Sequence, residues 1–285
     1  MKIERPVYLN KLIGCRHNGM IKIVTGIRRC GKSFLLSDLY ADWLKTQGVQ
    51  TDHIITINLE DRRNRELRDP DALLNYIDSQ LRDEEQYYVM IDEIQHVPEF
   101  EDVLNSYLHI KNVDVYVTGS NARFLSKDVI TTFRGRGYEI KVHPLSFSEY
   151  YPVSGLSMTM ALRQYMLFGG LPQVVQLGTD EQKSEFLKSL MEHTYLRDVV
   201  DRYKIRNTNV MDELLNILAS SIGGLTNPTK LANTFESVRH EKVGNKTISA
   251  YIDYLCDSFI MERAARYDIK GKKLIDSPYK YYFMD

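Results

Sequence analysis

The chain has 285 residues, of which 43% are apolar and 26% are charged, as is typical of a globular protein with about two domains. Its 37 basic and 38 acidic residues give a net charge of -1. This balance excludes a protein that coats nucleic acid by bulk charge, so any such binding would need a local basic patch.

The sequence also limits where the protein works. No run of 18 apolar residues occurs and no apolar stretch follows the first residues, so neither a transmembrane helix nor a secretory signal is expected. The three cysteines are separate and form no C-x-x-C pair, which fits a reducing compartment. We therefore expect a cytoplasmic protein with no membrane partner.

The first half of the chain alternates short β-branched or aromatic runs with amphipathic helical patterns. This alternation predicts an α/β fold, in which helices cover both faces of a parallel five-stranded sheet. The five runs are residues 21–25, 53–57, 88–91, 115–118 and 138–142.

Strand patterns disappear after Pro144 and helical patterns take over. Helices are expected from residue 146 to 203, with a break at 169–172, where two glycines and a proline occur. Three further helices are predicted after residue 207, and the apolar residues that mark them are Met211, Leu214, Leu215, Leu218 and Ile222, then Leu231, Ala232 and Phe235, then Ile248, Ile252, Leu255 and Phe259. Residues 260–267 and 280–283 read as two strands of a hairpin that turns at Gly271. The predicted domains are 1–145, 146–205 and 206–285.

The strongest motif is G-x-x-x-x-G-K-S, the pattern of a phosphate-binding loop. It follows a predicted strand and opens a helical pattern, so it would place phosphates at a helix N-terminus. Backbone N–H groups cradle the phosphates, the lysine charge reaches the β and γ oxygens and the serine hydroxyl binds Mg²⁺. The motif and the residue after it predict a site for ATP and Mg²⁺ that consists of Gly26, Ile27, Arg28, Arg29, Cys30, Gly31, Lys32, Ser33 and Phe34.

Two residues with carboxylate side chains directly follow the predicted strand 88–91. Asp92 is placed to hold Mg²⁺ opposite Ser33. Glu93 is either the general base that activates the attacking water or a solvated loop residue. Because a protein that only binds nucleotide needs no base, Glu93 favours hydrolysis.

Polar residues also follow the strand 115–118. Ser120 and Asn121 are candidates to lie beside the γ-phosphate, and N-capping of the next helix explains them equally well. Arg134 and Arg136, in a glycine-flanked turn, are candidates for an arginine that reaches a phosphate of this or a neighbouring subunit, or are surface residues.

The loop, the Asp92-Glu93 strand end, Thr118-Gly119-Ser120, the Gly135-Arg136 turn and residues 144–147 occur in an order that closely resembles the uncharacterised prokaryotic ATPases of the AAA+ superfamily. The resemblance implies strand order 5-1-4-3-2, a helical lid and a winged helix. It also implies that Pro172 contacts the adenine, although a helix-breaking turn is the other explanation, and that Arg136 is preferred over Arg134. Relatives usually continue past residue 285 into a nuclease-like domain, whose activity is not expected of this sequence.

The C-terminal segment is close to neutral overall but has a local basic cluster, formed by Arg263, Arg266, Lys270, Lys272 and Lys273. A winged helix of this kind binds double-stranded DNA, docks protein or packs on its own ATPase core. We therefore expect an ATPase that couples hydrolysis to a partner, with DNA as one candidate and self-association supplying Arg136 in trans. The alternatives are a nucleotide-dependent switch with little turnover and a P-loop phosphotransferase.

Overall fold

The structure is a computed structural model that describes residues 2–119, 135–239, 243–266 and 278–285. It divides into two compact units, Met1–Gln176 and Leu177–Asp285. The division falls inside the segment 146–205, and the three-domain organisation stays a prediction. Within the described ranges, no helix combines the length and apolar composition that crossing a bilayer requires.

The first unit is built on a parallel five-stranded sheet. Its strands are β1 (Ile21–Thr25), β2 (Ile54–Asn58), β3 (Tyr87–Asp92), β4 (Val113–Gly119) and β5 (Gly137–Lys141). They lie in the order β2-β3-β4-β1-β5, and every neighbouring pair is parallel. The five predicted strands and the implied strand order are therefore confirmed.

The central strands β1, β3 and β4 are buried on both faces, as near-continuous apolar strands require. On one face, Val89 and Val117 pack in a core with residues of the helices Pro70–Gln80 and Phe100–Tyr107. On the other face, Tyr40 contacts the rings of Tyr88 and Tyr116. The helical segments of this unit are Pro6–Gly14, Lys32–Phe34 with its continuations Leu35–Tyr40 and Ala41–Thr46, Pro70–Gln80, Phe100–Tyr107, Phe147–Ser154, Met158–Phe168 and Pro172–Val175, together with short 3₁₀ turns at Thr51–His53, Arg62–Arg68 and Ile94–His96.

A buried ion pair joins β1 to β4. The ammonium of Lys22, fully buried, donates to Asp114, whose side chain is 6% exposed. The same carboxylate accepts hydrogen bonds from the hydroxyl of Tyr116 at 2.7 Å and from the backbone N–H of His17 at 3.1 Å. Because both charges are paired and hydrogen-bonded, the sheet holds them without an uncompensated charge.

The second unit combines helices with a small antiparallel sheet. Its helical segments are Asp180–Leu190 with its continuations Met191–Leu196 and Arg197–Tyr203, Thr208–Ser220, Pro228–Thr234 with its continuation Phe235–Arg239, and Asn245–Asp257. Strands β6 (Leu225–Thr226), β7 (Met261–Ala264) and β8 (Tyr279–Phe283) form a sheet in the order β6-β8-β7. The predicted hairpin strands are thus present as β7 and β8, while the turn at Gly271, with Lys270, Lys272 and Lys273, lies outside the described residues.

Three details of this unit differ from the sequence prediction. Strand β6, only two residues long, was not predicted, because such a short segment has no measurable alternation. The first helix ends at Ser220, so Ile222 lies beyond it and is 53% exposed. The third helix ends at Asp257, and Phe259 is buried instead through a left-handed backbone conformation at φ 57° that turns the chain toward β7.

Candidate active site

The loop between β1 and the helix at Lys32 has a backbone that needs glycine at both ends. Gly26 has φ 143°, and a side chain there would meet the carbonyl oxygen of Val142 at 2.2 Å. Gly31 has φ 97° and directly precedes the helix Lys32–Phe34. The loop therefore presents its N–H groups at a helix start, which is an arrangement that binds phosphate.

Lys32 lies inside this loop and is 4% exposed. Its ammonium donates to the carbonyl oxygens of Gly26 and Ile27 at 3.0 and 3.1 Å. These bonds hold the ammonium group at the loop, where it is placed to donate hydrogen bonds to an anion.

Ser33 and Asp92 meet at the carboxyl edge of the sheet, where the ends of β1 and β3 come together. The Ser33 hydroxyl donates to Oδ1 of Asp92 at 2.8 Å. Burial raises the pKa of the Asp92 carboxyl, while hydrogen bonds from Thr118 and Ser33 oppose the shift. Hydroxyl and carboxylate oxygens are the donors that Mg²⁺ prefers, so this pair fits such an ion.

A cavity of about 220 Å³ adjoins the Ser33–Asp92 pair. Its polar lining includes Asn58, the last residue of β2, and Asn64. The amide of Asn64 donates to the carbonyl oxygen of Asn58 at 2.8 Å, which ties the segment after β2 to the strand end. The cavity gives the carboxyl edge of the sheet a polar recess next to the candidate metal ligands.

Thr118, near the end of β4, contacts both Asp92, the last residue of β3, and Glu93, which follows it. Its hydroxyl donates to Oδ1 of Asp92 at 2.5 Å and accepts the backbone N–H of Glu93 at 3.0 Å. Glu93 has a left-handed backbone conformation at φ 54°, and its carboxylate accepts a hydrogen bond from the Gln95 amide. Thr118 belongs to the Thr118-Gly119-Ser120 segment of the family pattern, but the sequence assigned its hydroxyl no role. Gln95 was missed, because a glutamine in a turn carries no motif.

The structure does not bring Arg136 to the loop of its own chain. The backbone N–H of Ile21, the first residue of β1, donates to the carbonyl oxygen of Arg136 at 2.9 Å. The loop follows the other end of β1, roughly 13 to 16 Å away at about 3.3 Å per residue. Arg136 is exposed at this far edge. The other candidates in this region, Ser120, Asn121 and Arg134, lie outside the described residues.

Pro172 lies beside the loop. A methyl group at Gly31 would be 3.8 Å from Cγ of Pro172. The preceding Gly170 packs on Leu145 so closely that a side chain would meet the Leu145 carbonyl oxygen at 2.1 Å, and the Leu145 N–H donates to the Gly170 carbonyl at 2.7 Å. Residue 170 therefore has to be glycine for this close approach. Pro172 is held beside the loop, in addition to marking the break between helices.

Arg5, which the sequence did not single out, ties the loop to the chain that follows β5. Its guanidinium donates to the carbonyl oxygens of Cys30 at 3.0 Å and His143 at 2.6 Å, and to Oε1 of Glu149 at 2.9 Å. Glu149 in turn accepts the backbone N–H of Ser146 at 2.9 Å, as part of a capping box that starts the helix Phe147–Ser154. Arg5 is 3% exposed, so these bonds are shielded from water.

A phosphate loop on a strand order of 5-1-4-3-2, with carboxylates at the end of β3, defines a P-loop nucleotide-binding protein of the AAA+ class. The family model described as "AAA domain" matches residues 18–151. A second model, described as a domain of unknown function, matches residues 159–285.

Two relatives match nearly the whole chain. A protein of Haemophilus influenzae is 33% identical in an alignment 289 residues long, which covers 99% of this chain and 72% of the relative. Protein MJ1544 of Methanocaldococcus jannaschii is 28% identical, over 93% of this chain and 60% of its own length. The chain belongs to this AAA-domain family of the AAA+ superfamily.

Among solved structures, the ORC2 protein of Aeropyrum pernix in ADPNP and ADP complexes matches with 11% identity and a TM-score of 0.45, over 91% of this chain and 85% of that chain. Because the score is below 0.5, the assignment of the fold rests on the strand order and the family match instead.

Proposed function

We propose that this protein is a Mg²⁺-dependent ATPase. The observation that carries the proposal is the contact between Ser33 and Asp92 at 2.8 Å, immediately beside the lysine of a complete phosphate loop. A phosphate binder needs the loop alone, whereas hydrolysis needs a metal and a base next to it. Asp92 and Glu93 supply both kinds of group on adjacent positions of one strand end.

Each residue has a role that follows from its chemistry. Residues 26–34 enclose the phosphates, with Lys32 donating to the β and γ oxygens. Ser33 and Asp92 would hold Mg²⁺, which neutralises phosphate charge when bound. Glu93 takes the proton of the attacking water as general base. Pro172, beside Gly31, contacts the adenine, and Ser120 or Asn121 contacts the γ-phosphate.

Self-association completes the site in this proposal. Arg136 lies at the amino edge of the sheet, too far from the loop of its own chain for a side chain about 7 Å long. It is exposed, so it is free to approach the loop of a second copy. An arginine supplied in this way stabilises the charge that develops on the transferred phosphoryl group.

Nucleotide binding is tested by isothermal titration with ATP, with and without Mg²⁺. We expect Lys32→Ala to abolish binding or weaken it severely, because the loop loses its charge. Lys45→Ala is the matched control, since Lys45 is 47% exposed and lies outside the loop. Equal ATP affinity in the wild type and Lys32→Ala would refute the site.

DNA is the partner that we propose for the second unit. The supporting observation is the order of its elements from residue 208 onward: a helix, β6, two helices and then β7 and β8, with Lys246 and Thr247 exposed at the start of the last helix. That helix also carries Asp253, which accepts a hydrogen bond from Arg263 at 3.0 Å and so partly neutralises the basic cluster.

Titration of double-stranded DNA at several salt concentrations tests this partner. We expect replacement of Lys272 and Lys273 by alanine to weaken binding alike across sequences and to reduce the salt slope by roughly two. An absence of salt-sensitive DNA affinity would leave protein docking as the function of this unit.

Measurement of ATP turnover separates an ATPase from the alternative function. A protein that binds ATP but shows no turnover in any condition would be a nucleotide-dependent switch.

A further inference from the structure

The side chain of Gln95 is directed at Glu93 and at no other described group. Its amide nitrogen donates to Oε2 of Glu93. Its amide oxygen is buried and has no hydrogen-bond partner among the described residues. The opposite orientation of the amide would place two oxygens against each other, so the carboxylate fixes which atom faces it. Most side-chain hydrogen bonds in proteins go to the main chain or to water, whereas this amide donates to a carboxylate.

The backbone holds both partners of this contact in place. Glu93 is fixed by its left-handed conformation and by its N–H, which donates to Thr118. Gln95 lies in the 3₁₀ turn Ile94–His96, closed by the N–H of Val97 donating to the Ile94 carbonyl at 2.9 Å. Ile94 and Val97 are buried, at 0% and 1% exposure, and so anchor the turn on either side of Gln95.

A glutamate acting as base must place one carboxylate oxygen near the attacking water. A glutamate side chain rotates about three bonds, so without a partner it occupies many positions. The Gln95 amide occupies Oε2 and thereby limits these rotations. A misplacement of about 1 Å costs as much as 100-fold in rate.

We propose that Gln95 is a positioning residue that orients the carboxylate of Glu93 for proton abstraction. This inference rests on the proposed function, in which Glu93 is the base. Gln95 touches neither nucleotide nor metal ligand in this role, so it affects the rate of hydrolysis and leaves nucleotide binding unchanged.

The test is a double-mutant cycle with Gln95→Met and Glu93→Gln. Methionine keeps the length of the side chain and removes the donor. We expect Gln95→Met to lower kcat about 10- to 100-fold with an unchanged KM, and with unchanged ATP affinity by titration. In the Glu93→Gln background, the same substitution should cause no further loss, because its effect passes through the carboxylate. Gln50→Met, at an exposed position, is the matched control and should keep wild-type turnover.

Several results would overturn the inference. Wild-type kcat in Gln95→Met would show that the contact has no catalytic effect. An equal loss in the Glu93→Gln background would show that Gln95 acts independently of the base. A fall in ATP affinity or in melting temperature that accounts for the loss would assign Gln95 to the fold. Wild-type turnover in Glu93→Gln alone would instead refute the proposed function, which is a separate outcome.

Discussion

The guanidinium of Arg5 donates to the carbonyl oxygen of Cys30, 3.0 Å away, inside the phosphate loop. The two residues are 25 positions apart and the bond is buried. Through Glu149, the same guanidinium also reaches the helix Phe147–Ser154. Hydrogen bonds of Arg5 thus connect the loop to the chain that precedes β1 and to the chain that follows β5.

We expect Arg5→Met to destabilise the protein by about 3 to 5 kcal/mol, because it leaves the Glu149 carboxylate buried without its cation. Urea denaturation measures the change. Arg5→Lys keeps the charge but cannot make the same set of hydrogen bonds. Its free energy of unfolding should therefore lie between that of the wild type and that of Arg5→Met. A loss below about 1 kcal/mol in Arg5→Met would show that the ion pair contributes little.

Thr118→Val should lower both turnover and stability. Valine has the shape of threonine but leaves the Glu93 N–H without its acceptor and removes one donor to Asp92. An unsatisfied buried group costs about 1 to 3 kcal/mol, and we expect kcat to fall at least tenfold as the strand end loosens. Thr118→Ser retains the hydroxyl and should restore most of the turnover. Failure of serine to restore any activity would point to packing of the methyl group instead.

The proposal that Arg136 acts in trans makes activity depend on concentration. We expect wild-type specific activity to rise with protein concentration as copies associate, and Arg136→Ala to lower it at every concentration. Arg82→Ala, an exposed arginine in the loop before β3, serves as the control. A flat profile for the wild type, together with no loss in Arg136→Ala, would contradict the role of this arginine.

The buried pair of Lys22 and Asp114 gives a stability prediction with a control inside the same chain. Asp114→Ala leaves a fully buried ammonium unpaired and should cost about 3 to 5 kcal/mol of unfolding free energy. Asp42 pairs with Lys2 at 2.7 Å, but both side chains are about half exposed, so Asp42→Ala should change stability by less than about 1 kcal/mol. Similar values for the two variants in urea denaturation would contradict the distinction between buried and exposed pairs.

The sequence was sufficient to predict the parts of this fold that have a local signal. Buried parallel strands are continuous apolar runs, and the glycines at 26 and 31 occur at fixed spacing because the backbone needs them there. Two of the contacts that were missed join distant parts of the chain. Arg5 lies 144 positions from Glu149, and Thr118 lies 26 from Asp92. Such pairings are set by the strand order, so neither residue type nor spacing reveals them.

Hydrolysis in the proposed mechanism depends most on Glu93 as the base, and phosphate release by Glu93→Gln tests this role most directly. Glutamine keeps the shape of the side chain and removes its basicity. With Glu84→Gln, at an exposed loop position, as the control, we expect Glu93→Gln to bind ATP with wild-type affinity and to release phosphate about 10² to 10⁴ times more slowly. Phosphate release at the wild-type rate would contradict the account and leave Glu93 as a residue of the turn.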